Sequence, residues 1–239
     1  MPKQTLITIS LMALVALTAP PATAAENPPS SGHSFTRTIY LIRHGAYDMT
    51  EKGDESVVNG LTPLGIAQAR LIATRLRGMP IKFASLTSST YTRARQTAGI
   101  IGQMFPDLAL HTDPVLCECT PRTWRTDVIK DVPKEELDAS DAQINQAFAK
   151  YFVPTKTVDE NDIIVAHGDL IRALICKALG VDTKAWLGFN IAHCSLTVVQ
   201  VKADGTFKVL AVGDTGHIPP NLLSGLTATN PELVTPKSP

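Results

Sequence analysis

Two short apolar segments of this chain end alike: Leu41-Ile42-Arg43-His44-Gly45 and Ile164-Val165-Ala166-His167-Gly168. The first reads as a buried strand over Thr38–Arg43 and the second over Ile163–Ala166, since both runs are short, apolar and β-branched. One apolar strand ending in His-Gly would be ordinary; two in one chain are not. Strands buried on both faces belong to parallel sheets covered by helices. In such sheets ligands bind beyond the carboxyl ends of the strands. The repeated ending therefore predicts two imidazoles on the ligand-binding edge of one sheet.

The sequence between and around these strands supplies the rest of that architecture. Thr62-Pro63 starts a helix, with Thr as N-cap and Pro at the first helical position. Leu64, Ala67, Leu71, Ile72 and Leu76 mark its apolar face before Gly78 and Pro80 end it. Phe83–Thr87 reads as a strand, 90–104 as a helix and Leu108–His111 as a short strand. Residues 112–138 hold Pro114, Pro121 and Pro133 and read as irregular, a pattern usually tied to function or mobility. Ser140 with Gln143 forms a capping-box pattern, and Ile144, Ala147, Phe148 and Tyr151 continue as a helical face. Leu170–Leu179 is a buried helix closed by Gly180. Cys194–Val201 and Thr206–Val212 flank Ala203-Asp204-Gly205, a hairpin signal. The expected fold is α/β: a three-layer α/β/α sandwich with a mostly parallel central sheet and an antiparallel C-terminal edge hairpin. No internal repeat and no second-domain linker interrupts residues 38–220.

The N-terminus reads as an address rather than as fold. Lys3 precedes the apolar run Leu6–Leu17, and Pro20-Pro21 and Ala22-Thr23-Ala24-Ala25 follow. This is the layout of a signal peptide over 1–24, and the run is short against the roughly 20 apolar residues of a membrane span. The expectation is an exported protein, periplasmic or secreted, with no stable membrane insertion once the leader is removed. Residues 25–37 read as a flexible lead-in and 221–239 as a flexible tail. The 22 basic residues balance 22 acidic ones, so a nucleic-acid partner has no electrostatic footprint. Cys176 and Cys194 read as small core residues, and Cys117 and Cys119 are spaced too closely for an ordinary metal pair, so no structural zinc site is expected.

At Arg43-His44-Gly45 the chain resembles the histidine phosphatase superfamily, the phosphoglycerate-mutase-like group. Leu61-Thr62-Pro63-Leu64-Gly65 with Gln68-Ala69 is similar to its first helix, and Ser89-Thr90-Tyr91-Thr92-Arg93-Ala94-Arg95-Gln96-Thr97-Ala98 to its second-arginine segment. His167-Gly168 through Arg172 and Cys194-Ser195-Leu196-Thr197 fit its second-histidine segment and following strand. Tyr47 and the stretch Gly213–Pro220 resemble the branch of mitochondrial phosphoglycerate-mutase-like serine/threonine phosphatases. The resemblance runs from about residue 38 to 220.

The resemblance implies a phosphomonoester phosphatase that forms a phosphohistidine on His44, with phosphoserine or phosphothreonine as substrate. It implies catalytic roles for His44, Glu118, Arg43, Arg93 and His167, phosphate contacts from Arg43, Arg93, His167 and Gly168, and no cofactor or metal. The residue types suit that chemistry. Two guanidiniums offer planar forks to a dianionic phosphoryl group. The cation of Arg43 favours a neutral, nucleophilic His44, and a backbone acceptor would fix its tautomer. Glu118, in Leu116-Cys117-Glu118, is the carboxyl that protonates the leaving oxygen and then activates water, as the resemblance implies. Asp113 and Asp127 are its rivals in the same segment. Arg95 and Arg172 read as structural or supporting, and His33, His111, His193 and His217 as surface groups or supports of the site. The alternative readings are a sugar-phosphate or envelope-glycan phosphatase, and a phosphate-binding module that has lost turnover. The partner in each case is a small phosphomonoester or a phosphoprotein; oligomeric state is open.

Overall fold

The computed structural model describes residues 34–50 and 52–226. The signal-peptide reading over 1–24, His33, most of the lead-in and residues 227–239 of the tail lie outside the described residues. The order of elements is β1 (Arg37–Arg43), α1 (Pro63–Arg77), β2 (Ser85–Ser88), α2 (Thr92–Gly102), β3 (Leu110–Thr112), α3 (Thr126–Ile129), α4 (Lys134–Tyr151), β4 (Glu160–Ala166), α5 (Gly168–Leu179), β5 (Leu196–Val201) and β6 (Phe207–Asp214). Short 3₁₀ turns occupy Pro114–Leu116, Thr183–Gly188 and Pro220–Leu222.

The strands form one six-stranded sheet in the order β3-β2-β4-β1-β5-β6. β3, β2, β4 and β1 run parallel, while β5 and β6 are antiparallel additions at the far edge. Alternate residues of a strand face opposite sides, and β1 serves two cores in that way. Ile39 and Leu41 pack with Ile164, Ile144, Ile171 and Leu174, the side of α4 and α5. Tyr40 and Ile42 pack with Ile163, Val165, Ile72, Leu76 and Ile101, the side of α1 and α2. The three-layer α/β/α sandwich expected from the sequence is what forms.

Register decides where the site falls. In the parallel β1–β4 pair Arg37 lies beside Glu160 and Arg43 beside Ala166. The ladder continues one step further, with His44 N donating to Ala166 O at 3.0 Å. His44 and His167 therefore leave the sheet side by side. β2 ends at the same level, with Ser89 N donating to Val165 O at 2.9 Å.

Three local expectations are corrected. α4 starts at Lys134 behind Pro133, not at Ser140. Pro133 ends the irregular stretch, and Glu135 and Glu136 in the first turn suit the positive end of the helix dipole. Ser140 and Gln143 bond outward instead: Ser140 Oγ accepts from Thr120 N at 3.2 Å, and Gln143 Nε2 donates to Val115 O at 3.1 Å and Cys117 O at 2.7 Å. They tie the segment carrying Glu118 to α4. Cys194 precedes β5 and holds a left-handed φ of 54°. Residues 221–226, read as the start of the tail, are held in part by side chains: Gln68 Nε2 donates to Leu222 O at 2.7 Å and Arg43 Nη1 to Gly225 O at 2.6 Å.

Candidate active site

The loop after β1 is clamped to α1. Gly45 and Gly65 make this possible, since a Cβ on Gly65 would stand 1.9 Å from Ala46 O and one on Gly45 would stand 2.7 Å from Gly65 O. Ala46 O accepts from Thr62 N at 3.0 Å, Ala46 N donates to Gln68 Oε1 at 2.9 Å, and Gly45 N donates to Thr97 Oγ1 at 3.0 Å. His44 is thus fixed at its base by two helices.

The hydrogen bonds on His44 determine its tautomer. Nδ1 lies 2.8 Å from Gly45 O, an acceptor, so Nδ1 carries the proton. Arg93 Nε donates to Nε2 at 3.2 Å, so Nε2 presents a lone pair. Burial, followed by His167, Arg43 and Arg93, holds His44 well below the usual imidazole range. A buried neutral imidazole is a nucleophile at neutral pH once its Nε2 lone pair is released from Arg93.

The other residues singled out from the sequence meet around it. The His167 ring lies 5.0 Å from the His44 ring. Its Nε2 is 2.8 Å from Ser89 Oγ, and its buried Nδ1 bonds to nothing among the described residues. Burial and then Arg93 and Arg43 keep it neutral as well. Arg93 pairs with Glu55 through Nη1, and its guanidinium carbon lies 4.5 Å from the Tyr47 ring centroid and 5.0 Å from that of Tyr91. Arg43 Nη1 donates to Ile191 O at 2.7 Å as well as to Gly225, while its Nε is buried without a partner among the described residues. Gly168 leaves room for that guanidinium, since a Cβ there would come within 3.2 Å of Arg43 Nε.

Glu118 sits at the N-terminus of α5, where its Oε1 accepts from Leu170 N at 3.3 Å. Burial and then Asp169 push its carboxyl up to about 7, against the pull of Arg43. At neutral pH such a group can both give and take a proton. Its rivals are occupied elsewhere. Asp113 accepts from Lys150 Nζ at 2.5 Å, Tyr151 Oη at 2.6 Å and Val115 N at 3.0 Å, which makes it a strut between the irregular segment and α4. Asp127 is an exposed partner of Arg125.

Other residues separate in the same manner. Arg95 donates to Ser56 O at 2.7 Å, and Arg172 pairs with Asp169 and stacks on Trp186. His111 is exposed, and His217 bridges Arg75 and Cys194 O behind the site. His193 is not the surface group that one sequence reading made it: its ring lies 5.4 Å from that of His44. Glu55 and Asp169 carried no signal at all, because ion pairing and proximity across the fold leave no local pattern.

The sequence pattern of the histidine phosphatase superfamily (branch 1) matches residues 39–160 and 153–215. The chain belongs to the histidine phosphatase superfamily. Among its relatives, the mitochondrial serine/threonine-protein phosphatase Pgam5 of Caenorhabditis elegans is 37% identical over 201 residues, which cover 79% of this chain and 66% of the relative. The Xenopus tropicalis protein of that name is 32% identical over 193 residues, covering 79% of this chain and 68% of its own. The chain thus spans about two thirds of the length of these relatives. A phosphoglycerate mutase from Plasmodium falciparum shares the fold, with a TM-score of 0.55 and 27% identity over 77% of this chain and 95% of its own.

These histidine phosphatases correct the expectation of a periplasmic or secreted protein: the relatives named above are mitochondrial. The export reading rested on Lys3, the apolar run Leu6–Leu17 and the small-residue stretch Ala22-Thr23-Ala24-Ala25.

Proposed function

We propose that this histidine phosphatase is a phosphomonoester hydrolase acting on phosphoserine or phosphothreonine of protein substrates through a phosphohistidine on His44. The observation that carries the reading is the His44 tautomer: Nδ1–H engaged by Gly45 O, Nε2 facing Arg93. Nε2 attacks phosphorus, the P–O bond to the leaving group breaks, and the Glu118 carboxyl gives its proton to the departing oxygen. Glu118, now a carboxylate, takes a proton from water. The oxygen of that water displaces His44 from phosphorus, releasing phosphate and restoring the neutral imidazole. Arg43 and Arg93 balance the charge spread over the phosphoryl oxygens, where most of the catalysis of such transfers originates, and neutral His167 serves them as a hydrogen-bonding group. The preference for phosphoprotein is supported by the serine/threonine-protein phosphatases among the relatives.

Hydrolysis of p-nitrophenyl phosphate by wild type and His44→Ala tests the nucleophile. The variant should lose activity to background, and retained turnover would refute the assignment. A panel of phosphoserine and phosphothreonine peptides against sugar phosphates tests the substrate class. Preference for the sugars would overturn that part.

A further inference from the structure

His193 is the third imidazole at His44, and the family motifs do not account for it. Its ring also stands 6.2 Å from the Tyr47 ring. Its backbone N donates to Ser224 O at 2.9 Å, and its Nδ1 lies 3.0 Å from Ser224 Oγ. Its Nε2 is buried and bonds to nothing among the described residues. A buried polar atom without a partner is costly, about 1–3 kcal/mol, and native structures keep few of them.

The bonds around Ser224 accommodate a ring proton on His193 Nε2. Gln68 Oε1 accepts from Ala46 N, which makes the other amide atom a nitrogen, and this Nε2 donates to Ser224 Oγ at 2.9 Å. With one of its two lone pairs filled, the Ser224 hydroxyl has a hydrogen to direct at His193 Nδ1. In that arrangement Nε2 carries the ring proton. A contrast with His44 supports this. Arg93 finds the lone pair on His44 Nε2, yet no guanidinium bonds to His193 Nε2.

Resting on the phosphatase reading above, we propose that His193 Nε2–H is a further donor to the oxygens of the bound phosphoryl group. Ser224 is the positioning residue that holds it in that tautomer. The segment Leu222–Gly225 then serves three parts of the site at once. It takes Gln68 of the His44 clamp, Arg43 Nη1 through Gly225 O, and His193 through Ser224.

The test uses orthovanadate as a phosphoryl probe, with p-nitrophenyl phosphate as substrate, on the full chain. His193→Ala should weaken vanadate inhibition by about tenfold or more, the weight of one hydrogen bond to a charged group. Inhibition equal to wild type would overturn the proposal. Nitrogen-15 NMR of histidine-labelled wild type should find the His193 proton on Nε2, and a proton on Nδ1 would overturn it without any variant having to fold. In Ser224→Ala the tautomer preference should be lost, and a wild-type Nε2–H signal there would remove the part assigned to Ser224. His44→Ala separates the two readings. If that variant is inactive while His193→Ala binds vanadate normally, only this proposal fails; if His44→Ala still turns over, the active-site reading fails first.

Discussion

Replacing Glu118 by Gln and reading the rate across pH probes the most environment-dependent group in the site. Its carboxyl, ordinarily at 4.5, stands at about 7 because it is buried beside Asp169. As the donor to the leaving oxygen it must be protonated. The kcat/KM profile should therefore fall on the alkaline side with a midpoint near 7, leaving roughly a tenth of the plateau one pH unit higher. His44 and His167, both held well below the ordinary 6.5, add no fall on the acid side near neutrality. Gln cannot titrate, so Glu118→Gln should lose the alkaline limb and about 10²–10⁴ of the rate, the usual share of general acid–base catalysis. Asp169→Asn removes a like charge, which lowers the Glu118 pKa and moves the limb to more acid pH. Stability obeys the same linkage. Between 4.5 and about 7 the folded protein keeps a proton that the unfolded chain has released, so stability falls as pH rises through that window. Glu118→Gln should lack that slope and be favoured above it, on the order of 1–3 kcal/mol relative to its effect in acid. An alkaline limb that survives in Glu118→Gln, or fails to move in Asp169→Asn, would refute the reasoning.

Two glycines give further tests. Gly65→Ala drives a Cβ to 1.9 Å from Ala46 O, against backbone that cannot rotate away. Thermal unfolding should show a loss of about 3 kcal/mol, a fall of roughly 6–12 °C for a chain of this size, together with reduced activity as the His44 loop shifts; a midpoint unchanged within error would contradict the close approach. Gly168→Ala presses on Arg43 at 3.2 Å, a contact that a side chain can relieve by a small shift. It should raise KM for phosphate esters about threefold to tenfold, on the order of 1 kcal/mol, with little change in melting temperature. An unchanged KM would free Arg43 from that role.

What was legible in the sequence had local causes. The N-cap Thr62 with Pro63, the left-handed Gly180 at φ 68° and the apolar runs of β1 and β4 each carry their own signal. The start of α4 was misplaced because Ser140 and Gln143 have the spacing of a cap, whereas their hydrogen bonds go to residues 115–120, out of the helix. His193 was undervalued for a related reason. Its proximity to His44 depends on a loop returning across the end of β1, where Cys194 N donates to Arg43 O at 3.0 Å.

The sequence alone determined the layers, the sheet edge that carries the chemistry, and the family, because periodicity and strand-end motifs are properties of consecutive residues. Tertiary structure alone decided the chemical state of the site. The proton on His44 Nδ1, the raised carboxyl of Glu118, the pairing of Arg93 with Glu55 and the use of Ser224 against His193 all arise between residues distant in the chain or from a fold-set backbone. Desolvation and directional hydrogen bonds act over a few ångströms of space; the register of β1 against β4 sets His44 beside His167, and the loops after the strands bring the other groups within that range.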